Sequence, residues 1–121
     1  MKITLIGYGA MGQLIETLAA RKGHEIAGVI DLDEADLSAE ELGAKLRGCD
    51  VAIEFTTAEA VRRNVEACML AGVPLVEGTT GWNAQRDEIE KIVRDRDGAF
   101  VFGANFSIGV NLFYRVVDFA S

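Results

Sequence analysis

Histidine, proline and cysteine are scarce in this chain, with one His, one Pro and two Cys among 121 residues. Cys49 and Cys68 stand far apart with no His pair near either, so they match no zinc-ligand spacing. They read as reduced, mostly buried thiols, and no metal site is expected. Pro74 is the only proline, and no linker, repeat or low-complexity tract divides the sequence. The net charge is −7, and Lys and Arg nowhere cluster into the basic stripe that a nucleic-acid surface needs. Nucleic acid is therefore not an expected partner. Also missing is any apolar run near the ~20 residues that cross a bilayer. The apolar start, Ile3 to Ile6, is too short for a signal-peptide core and runs into glycine rather than a cleavage site. A cytoplasmic location without membrane contact is the expectation.

What is present is ordinary globular material: 50% hydrophobic and 26% charged residues, in a length that suits one domain with a real core. Residues 2–6 read as a strand buried on both faces and ending at Gly7. Met11, Leu14, Ile15, Leu18 and Ala19 recur at helical spacing over 10–22, and Gly23 follows as a stop. Further strands are expected at 25–30, 51–55, 73–77 and 99–102, with Pro74 tolerated near a strand start. Further helices are expected from Ser38 to about Leu46, from Thr56–Thr57 to Ala71, over 83–96 and over 107–120. Ser38-Ala39-Glu40-Glu41 and Thr56-Thr57-Ala58-Glu59 both have capping-box spacing. Short connections make these elements βαβ units. Right-handed crossovers then give an α/β fold: a Rossmann-type, mostly parallel sheet with helices on both faces, in a single domain over 1–121. Such sheets bind ligands beyond the carboxyl ends of their strands, so functional residues should directly follow strands.

Gly7-Tyr8-Gly9-Ala10-Met11-Gly12 is a G-x-G-x-x-G set directly between a strand and a helix, the context in which it cradles a dinucleotide pyrophosphate. Gly7 permits the tight turn, Gly9 lets the backbone approach the phosphates, and Gly12 lets the helix pack on the strand. Helix N–H groups bind the phosphates, so an acidic chain can still hold an anionic ligand. Asp31 ends the second strand, about 20 residues beyond the glycines, where a carboxylate accepts both adenosine-ribose hydroxyls and repels a 2′-phosphate. Leu32, Asp33 and Glu34 follow, with no Arg to hold that phosphate. NADH is therefore expected to be preferred over NADPH.

Three later loops fall on the same sheet edge: Phe55-Thr56-Thr57, Gly78-Thr79-Thr80-Gly81-Trp82 and Gly103-Ala104-Asn105-Phe106-Ser107-Ile108-Gly109. Their small residues and hydroxyls suit close approach by a ligand. Together they outline a groove from the adenosine end to the nicotinamide end. Each residue also has an ordinary reading: Thr56 and Thr57 as helix caps, Gly78 and Gly81 as turn residues, Trp82 as packing. His24 precedes the second strand and so lies on the opposite edge, while Tyr8 sits towards the pyrophosphate. Neither suits a general acid, and no catalytic residue is expected in this chain.

In order and spacing, Gly7–Gly12, Glu54-Phe55-Thr56, Gly78–Trp82 and Ala104–Asn111 make the chain similar to the dihydrodipicolinate reductase (4-hydroxy-tetrahydrodipicolinate reductase) family, over essentially its whole length. The resemblance implies reduction of a cyclic lysine precursor in the diaminopimelate route, with NADH or NADPH. By position it assigns the pyrophosphate to Gly7, Tyr8, Gly9, Ala10, Met11 and Gly12, and the adenosine ribose to Asp31. Phe55 and Thr56 would line the middle of the groove, with Gly78, Thr79 and Thr80 on the nicotinamide side. Gly103, Ala104, Asn105 and Phe106 would close over the nicotinamide. The family's general acid and substrate ligands lie in a His-His-x-x-Lys-x-Asp-Ala-Pro-Ser-Gly stretch of a second domain, which has no counterpart here. Ser121 falls inside the last expected helix, with no glycine stop. The chain is thus expected to be the cofactor-binding half, cut before the catalytic domain and inactive alone. The family completes this sheet with a returning segment, so the fragment is expected to dimerise or to be less stable. A tetramer is not expected, since the family builds it largely through the second domain. Two other functions fit the same residues: a self-contained NAD(H)-sensing module, and the cofactor domain of another dehydrogenase such as aspartate dehydrogenase. The Ala104–Gly109 stretch argues against the second of these.

Overall fold

The computed structural model describes residues 1–31 and 36–103. The elements run β1 (Lys2–Ile6), α1 (Ala10–Arg21), β2 (Glu25–Ile30), α2 (Ala39–Leu46), β3 (Val51–Glu54), α3 (Ala58–Ala71), β4 (Leu75–Glu77), a 3₁₀ turn (Asn83–Gln85), α4 (Arg86–Asp95) and β5 (Phe100–Phe102). All strand pairs are parallel, in the order β2-β1-β3-β4-β5. From β1 the chain first crosses to one side, to β2, and then to the other, to β3. The carboxyl ends of β1 and β3 therefore form the topological switch point, where connections diverge and leave a crevice.

Alternation along the strands divides the core in two. Ile3 and Leu5 of β1, Val51 and Ile53 of β3 and Val76 of β4 pack with Met11, Ile15 and Ala19 of α1. The intervening residues Ile6, Ala52 and Leu75 pack on the opposite face against Leu42 and Leu46 of α2, Val61, Val65 and Cys68 of α3, and Ile89 of α4. Both strand faces are covered, so the strands read as continuous apolar runs. Each buried Leu or Ile contributes roughly 1.5–3 kcal/mol over an exposed one.

The expected elements within the described residues all form, with changes at their ends. β4 starts at Leu75 rather than at 73: the Val73 N–H closes α3 by donating to the Cys68 carbonyl, and Pro74 has no N–H to give. The helix expected over 83–96 opens as a 3₁₀ turn and becomes α-helical only from Arg86. Ser38 makes the expected capping box, accepting from the Glu41 N–H at 3.1 Å while Glu41 Oε1 accepts from the Ser38 N–H at 3.3 Å. The second capping box does not form. Thr57, not Thr56, is the N-cap of α3, and its side chain caps nothing. The Thr56 hydroxyl has a stronger acceptor elsewhere, described below. The helix expected over 107–120 lies outside the described residues. Among those described, no helix is long and apolar enough to cross a membrane.

Candidate functional site

Gly7 is held between two neighbouring strand ends. Its N–H donates to the Ile30 carbonyl at 2.7 Å, and the Phe55 N–H donates to the Ile6 carbonyl at 2.9 Å. Its φ is +97°, and a Cβ here would stand 2.1 Å from the Phe55 carbonyl oxygen. Any side chain at this position would meet both backbone strain and overlap with the backbone of the β3 loop. At Gly12 a Cβ would lie 2.6 Å from the Gly7 carbonyl oxygen, so α1 sits directly on the loop. Gly9 is the N-cap of α1, with nothing within 4 Å of where its side chain would be. The first turn of α1 holds no acidic residue, leaving its N-terminal N–H groups and the positive end of the helix dipole facing open space.

This open space is a groove of about 430 Å³. Gly7, Tyr8 and Gly9 form one wall, Ile30 and Asp31 another, and Phe55, Thr56, Thr57, Ala60 and Arg63 the third. Six residues expected from the sequence thus meet in one cavity: Gly7, Tyr8, Gly9, Asp31, Phe55 and Thr56. Ala10 is exposed at the helix start, while Met11 and Gly12 are buried, with Met11 in the core beneath α1. The Tyr8 phenol donates to the Glu16 carboxylate in the second turn of α1, which raises its pKa above the ordinary 10.0.

The loop after β4 lies beside this groove rather than in its wall. Gly78 is buried because Phe55 covers it: a Cβ there would lie 2.0 Å from the Phe55 ring. Thr79 is buried and its Oγ1 accepts the Thr56 N–H at 2.8 Å, tying the β3 loop to the β4 loop. Thr80 is exposed. Trp82 donates from Nε1 to the Thr79 carbonyl at 2.7 Å and packs edge-on against Phe100 and Phe102, so it is a packing residue. The Gly103 N–H donates to the Glu77 carbonyl at 3.1 Å. Ala104, Asn105 and Phe106 lie outside the described residues. His24 is at the opposite sheet edge, where its Nδ1 is 2.8 Å from the Met1 ammonium.

Two features escaped sequence reasoning. One is Arg63, which α3 carries into the groove that also holds Asp31. Its Nε and Nη2 donate to Asn64 Oδ1 at 3.0 and 2.8 Å, and Nη1 donates to the Leu37 carbonyl at 3.0 Å. The other is a buried acid pair. Glu54 and Glu77 end β3 and β4, stand opposite one another in register, and are both fully buried on the sheet face that α3 covers. Glu54 Oε2 accepts from Asn64 Nδ2 at 2.6 Å and from Thr56 Oγ1 at 2.5 Å. Glu54 Oε1 and both Glu77 oxygens have no donor other than a proton shared between the two carboxyls. Burial first, and then the charge of Glu54, push Glu77 up to about 12. Burial raises Glu54 too, opposed by its hydrogen bonds from Glu77, Thr56 and Asn64 and by the Arg63 charge. At neutral pH Glu77 keeps its proton and donates it to Glu54. Among the described residues, no three His, Cys, Asp or Glu side chains gather as a metal site.

A parallel sheet that opens at its switch point onto a glycine loop is the architecture of Rossmann-type nicotinamide-dinucleotide-binding domains. Solved structures share it. An NAD-binding protein from Listeria innocua superposes with a TM-score of 0.64 at 20% identity, over 84% of this chain and 34% of that one. Biliverdin reductase from Synechocystis, in complex with biliverdin and NADP+, superposes with a TM-score of 0.59 at 12% identity, over 84% of this chain and 37% of that one. At these identities the likeness is one of fold. Sequence goes further: the chain belongs to the dihydrodipicolinate reductase family, whose N-terminal region matches residues 1–106. The 4-hydroxy-tetrahydrodipicolinate reductase of Christiangramia forsetii is 36% identical over 118 residues, covering 96% of this chain and 46% of that protein. That of Archaeoglobus fulgidus is 33% identical over 137 residues, covering 100% and 52%. The chain thus spans about half the length of these relatives.

Proposed function

We propose that the groove binds NADH, with NADPH as a weaker second ligand, and that the chain serves as the cofactor-holding half of a 4-hydroxy-tetrahydrodipicolinate reductase. The observation that carries this reading is the convergence of Gly7, Gly9 and Asp31 on one cavity at the switch point. The N–H groups at the start of α1 receive the pyrophosphate, and the empty space around Gly9 admits it. Asp31 takes the adenosine ribose hydroxyls and opposes a 2′-phosphate by like charge. Arg63, in the same groove, is the cation that makes NADPH tolerable despite Asp31. Phe55 and Thr56 line the middle of the groove, while Gly78, Thr79, Thr80 and the segment from Gly103 to Phe106 serve the nicotinamide side.

A nicotinamide cofactor, when bound, supplies the hydride. The residues of this chain bind and orient it. Among the described residues none is placed to give a proton to substrate: the Tyr8 hydroxyl is committed to Glu16, and His24 is at the far edge. The proton donor and the substrate contacts are therefore assigned to parts of the protein outside the described residues.

Calorimetric titration tests this. Saturable 1:1 binding of NADH, tighter than that of NADPH, is expected, and Asp31→Ala is expected to narrow the gap by roughly tenfold, the equivalent of one lost charge-assisted contact. Failure to bind either dinucleotide would overturn the reading. An Asp31→Ala variant that binds NADPH no better than the wild type would overturn the role given to Asp31.

A further inference from the structure

We infer that Glu54 is a positioning residue of the dinucleotide groove: buried beneath it and bonded through Oε2 to both Asn64 and Thr56, it captures the Thr56 hydroxyl hydrogen and so fixes which polarity Thr56 presents to a ligand. The inference rests on the proposed dinucleotide site and adds to it a buried layer that touches no ligand.

The geometry runs from the core outward. Thr56 lines the groove and has two polar handles. Its N–H is spent on Thr79 Oγ1 and its O–H on Glu54 Oε2. With its hydrogen turned inward, the hydroxyl oxygen can only accept from a ligand in the groove, so it selects a donor such as a ribose hydroxyl or a carboxamide NH₂. Thr79 takes the complementary state. Its oxygen accepts from Thr56, which leaves its own O–H to donate. One acceptor and one donor are thereby set side by side at the junction of the β3 and β4 loops.

What keeps Thr56 in that state is Glu54 Oε2, which accepts from Asn64 Nδ2 as well as from Thr56 and so has no proton of its own to donate back. Glu54 is fully buried, and a lone carboxylate there would be costly. Three donors compensate it: Thr56, Asn64 and the Glu77 carboxyl. Asn64 is in turn polarised by two N–H groups of Arg63, itself a groove residue. Two groove side chains, Thr56 and Arg63, therefore report to the same carboxylate from two sides. An anionic ligand that draws on Arg63, or a donor that engages Thr56, changes the field and the hydrogen bonding felt at Glu54, and with them the proton it shares with Glu77.

The test combines NADH titration with difference infrared spectroscopy on the wild-type protein and on Glu77→Gln, Glu54→Gln and Glu54→Leu. The wild type is expected to show the C=O stretch of a buried protonated carboxyl at neutral pH. That band should vanish in Glu77→Gln and shift when NADH binds, a signature that a purely structural acid pair would not give. Glu54→Gln keeps an acceptor for Thr56 and is expected to bind NADH within about threefold of wild type, while Glu54→Leu lacks it and should bind about tenfold more weakly. If Glu54→Leu does not fold, the response of the band to NADH decides alone. Absence of the band, a band unmoved by saturating NADH, wild-type affinity in a folded Glu54→Leu, or an equal loss in Glu54→Gln each overturns the inference while leaving the dinucleotide site standing. Absence of NADH binding by the wild type overturns both.

Discussion

Replacing Glu77 by Gln should make the protein less sensitive to alkali. Folded, Glu77 holds its proton up to about 12; unfolded, it releases it near the ordinary 4.5. Between these values the native state binds one more proton than the unfolded state. Stability is therefore greatest in acid and falls as pH rises, by 2.303RT, or about 1.4 kcal/mol, per pH unit for this one group. From about pH 6 to about pH 8 the loss is about 3 kcal/mol, a large share of the ~5–15 kcal/mol by which a domain is usually stable. A glutamine at 77 supplies its NH₂ to Glu54 where the carboxyl supplied its proton, and has nothing to titrate. The groups facing the pair are Arg63, Asn64, Thr56 and Cys68. Burial pushes the Cys68 thiol well above its ordinary range, so it adds a slope of its own only in stronger alkali, which is why the window stops near pH 8. Urea unfolding followed through Trp82, the single tryptophan, would give the midpoints of both proteins across this window. The difference in stability between Glu77→Gln and the wild type is expected to widen by about 3 kcal/mol in favour of the variant. Parallel curves for the two proteins would refute the shared proton.

Other substitutions test separate parts of the site. Gly7→Ala combines a positive φ with a Cβ 2.1 Å from the Phe55 carbonyl oxygen. Strain and overlap each cost roughly 1–3 kcal/mol, so a marked drop in melting temperature together with loss of NADH binding is expected. Thr79→Val removes the acceptor of the Thr56 N–H at nearly constant volume, and should cost about 1–3 kcal/mol in chemical denaturation; an unchanged midpoint would mean that this bond does not hold the loops together. Ile89→Ala empties a fully buried site between α4 and α3 and should cost about 2–5 kcal/mol without altering the ratio of NADH to NADPH affinity.

The strands, the helices and the glycine loop were legible because their signals are local. A G-x-G-x-x-G between a strand and a helix needs no knowledge of the rest of the fold. Its partner Asp31 follows from strand length alone. The groove's third wall was legible only in part. Phe55 and Thr56 could be placed by the rule that ligands lie beyond strand ends, whereas Arg63 sits within α3 and reaches the groove only through the crossover geometry. The acid pair was hidden for a similar reason. Glu54 and Glu77 each close an apolar run just before a loop of small residues, a pattern visible in the sequence, but their meeting depends on the register of β3 against β4. That meeting also explains why Thr56 fails as a helix cap. Local spacing offered it the α3 N-terminus, and a buried carboxylate two residues away took its hydroxyl instead.

All the groove's lining residues fall between Ile6 and Arg63. Strand order makes that stretch nearly self-contained: β1 stands between β2 and β3, and β4 and β5 are added on one side. The part of a ligand seated there works as a brace across the first half of the chain. Its binding raises the free energy of opening for segments that must come apart to release it, by about 2.7 kcal/mol at a hundredfold excess over the dissociation constant. Support for the three-residue edge strand β5 has to come from outside this cavity, through the nicotinamide side of the ligand at the loops after β4 and β5. Amide exchange should then divide the sheet in two: ligands that carry only the adenosine and phosphate part slow it at β1, β2 and β3, and only the complete dinucleotide slows it at β5 as well.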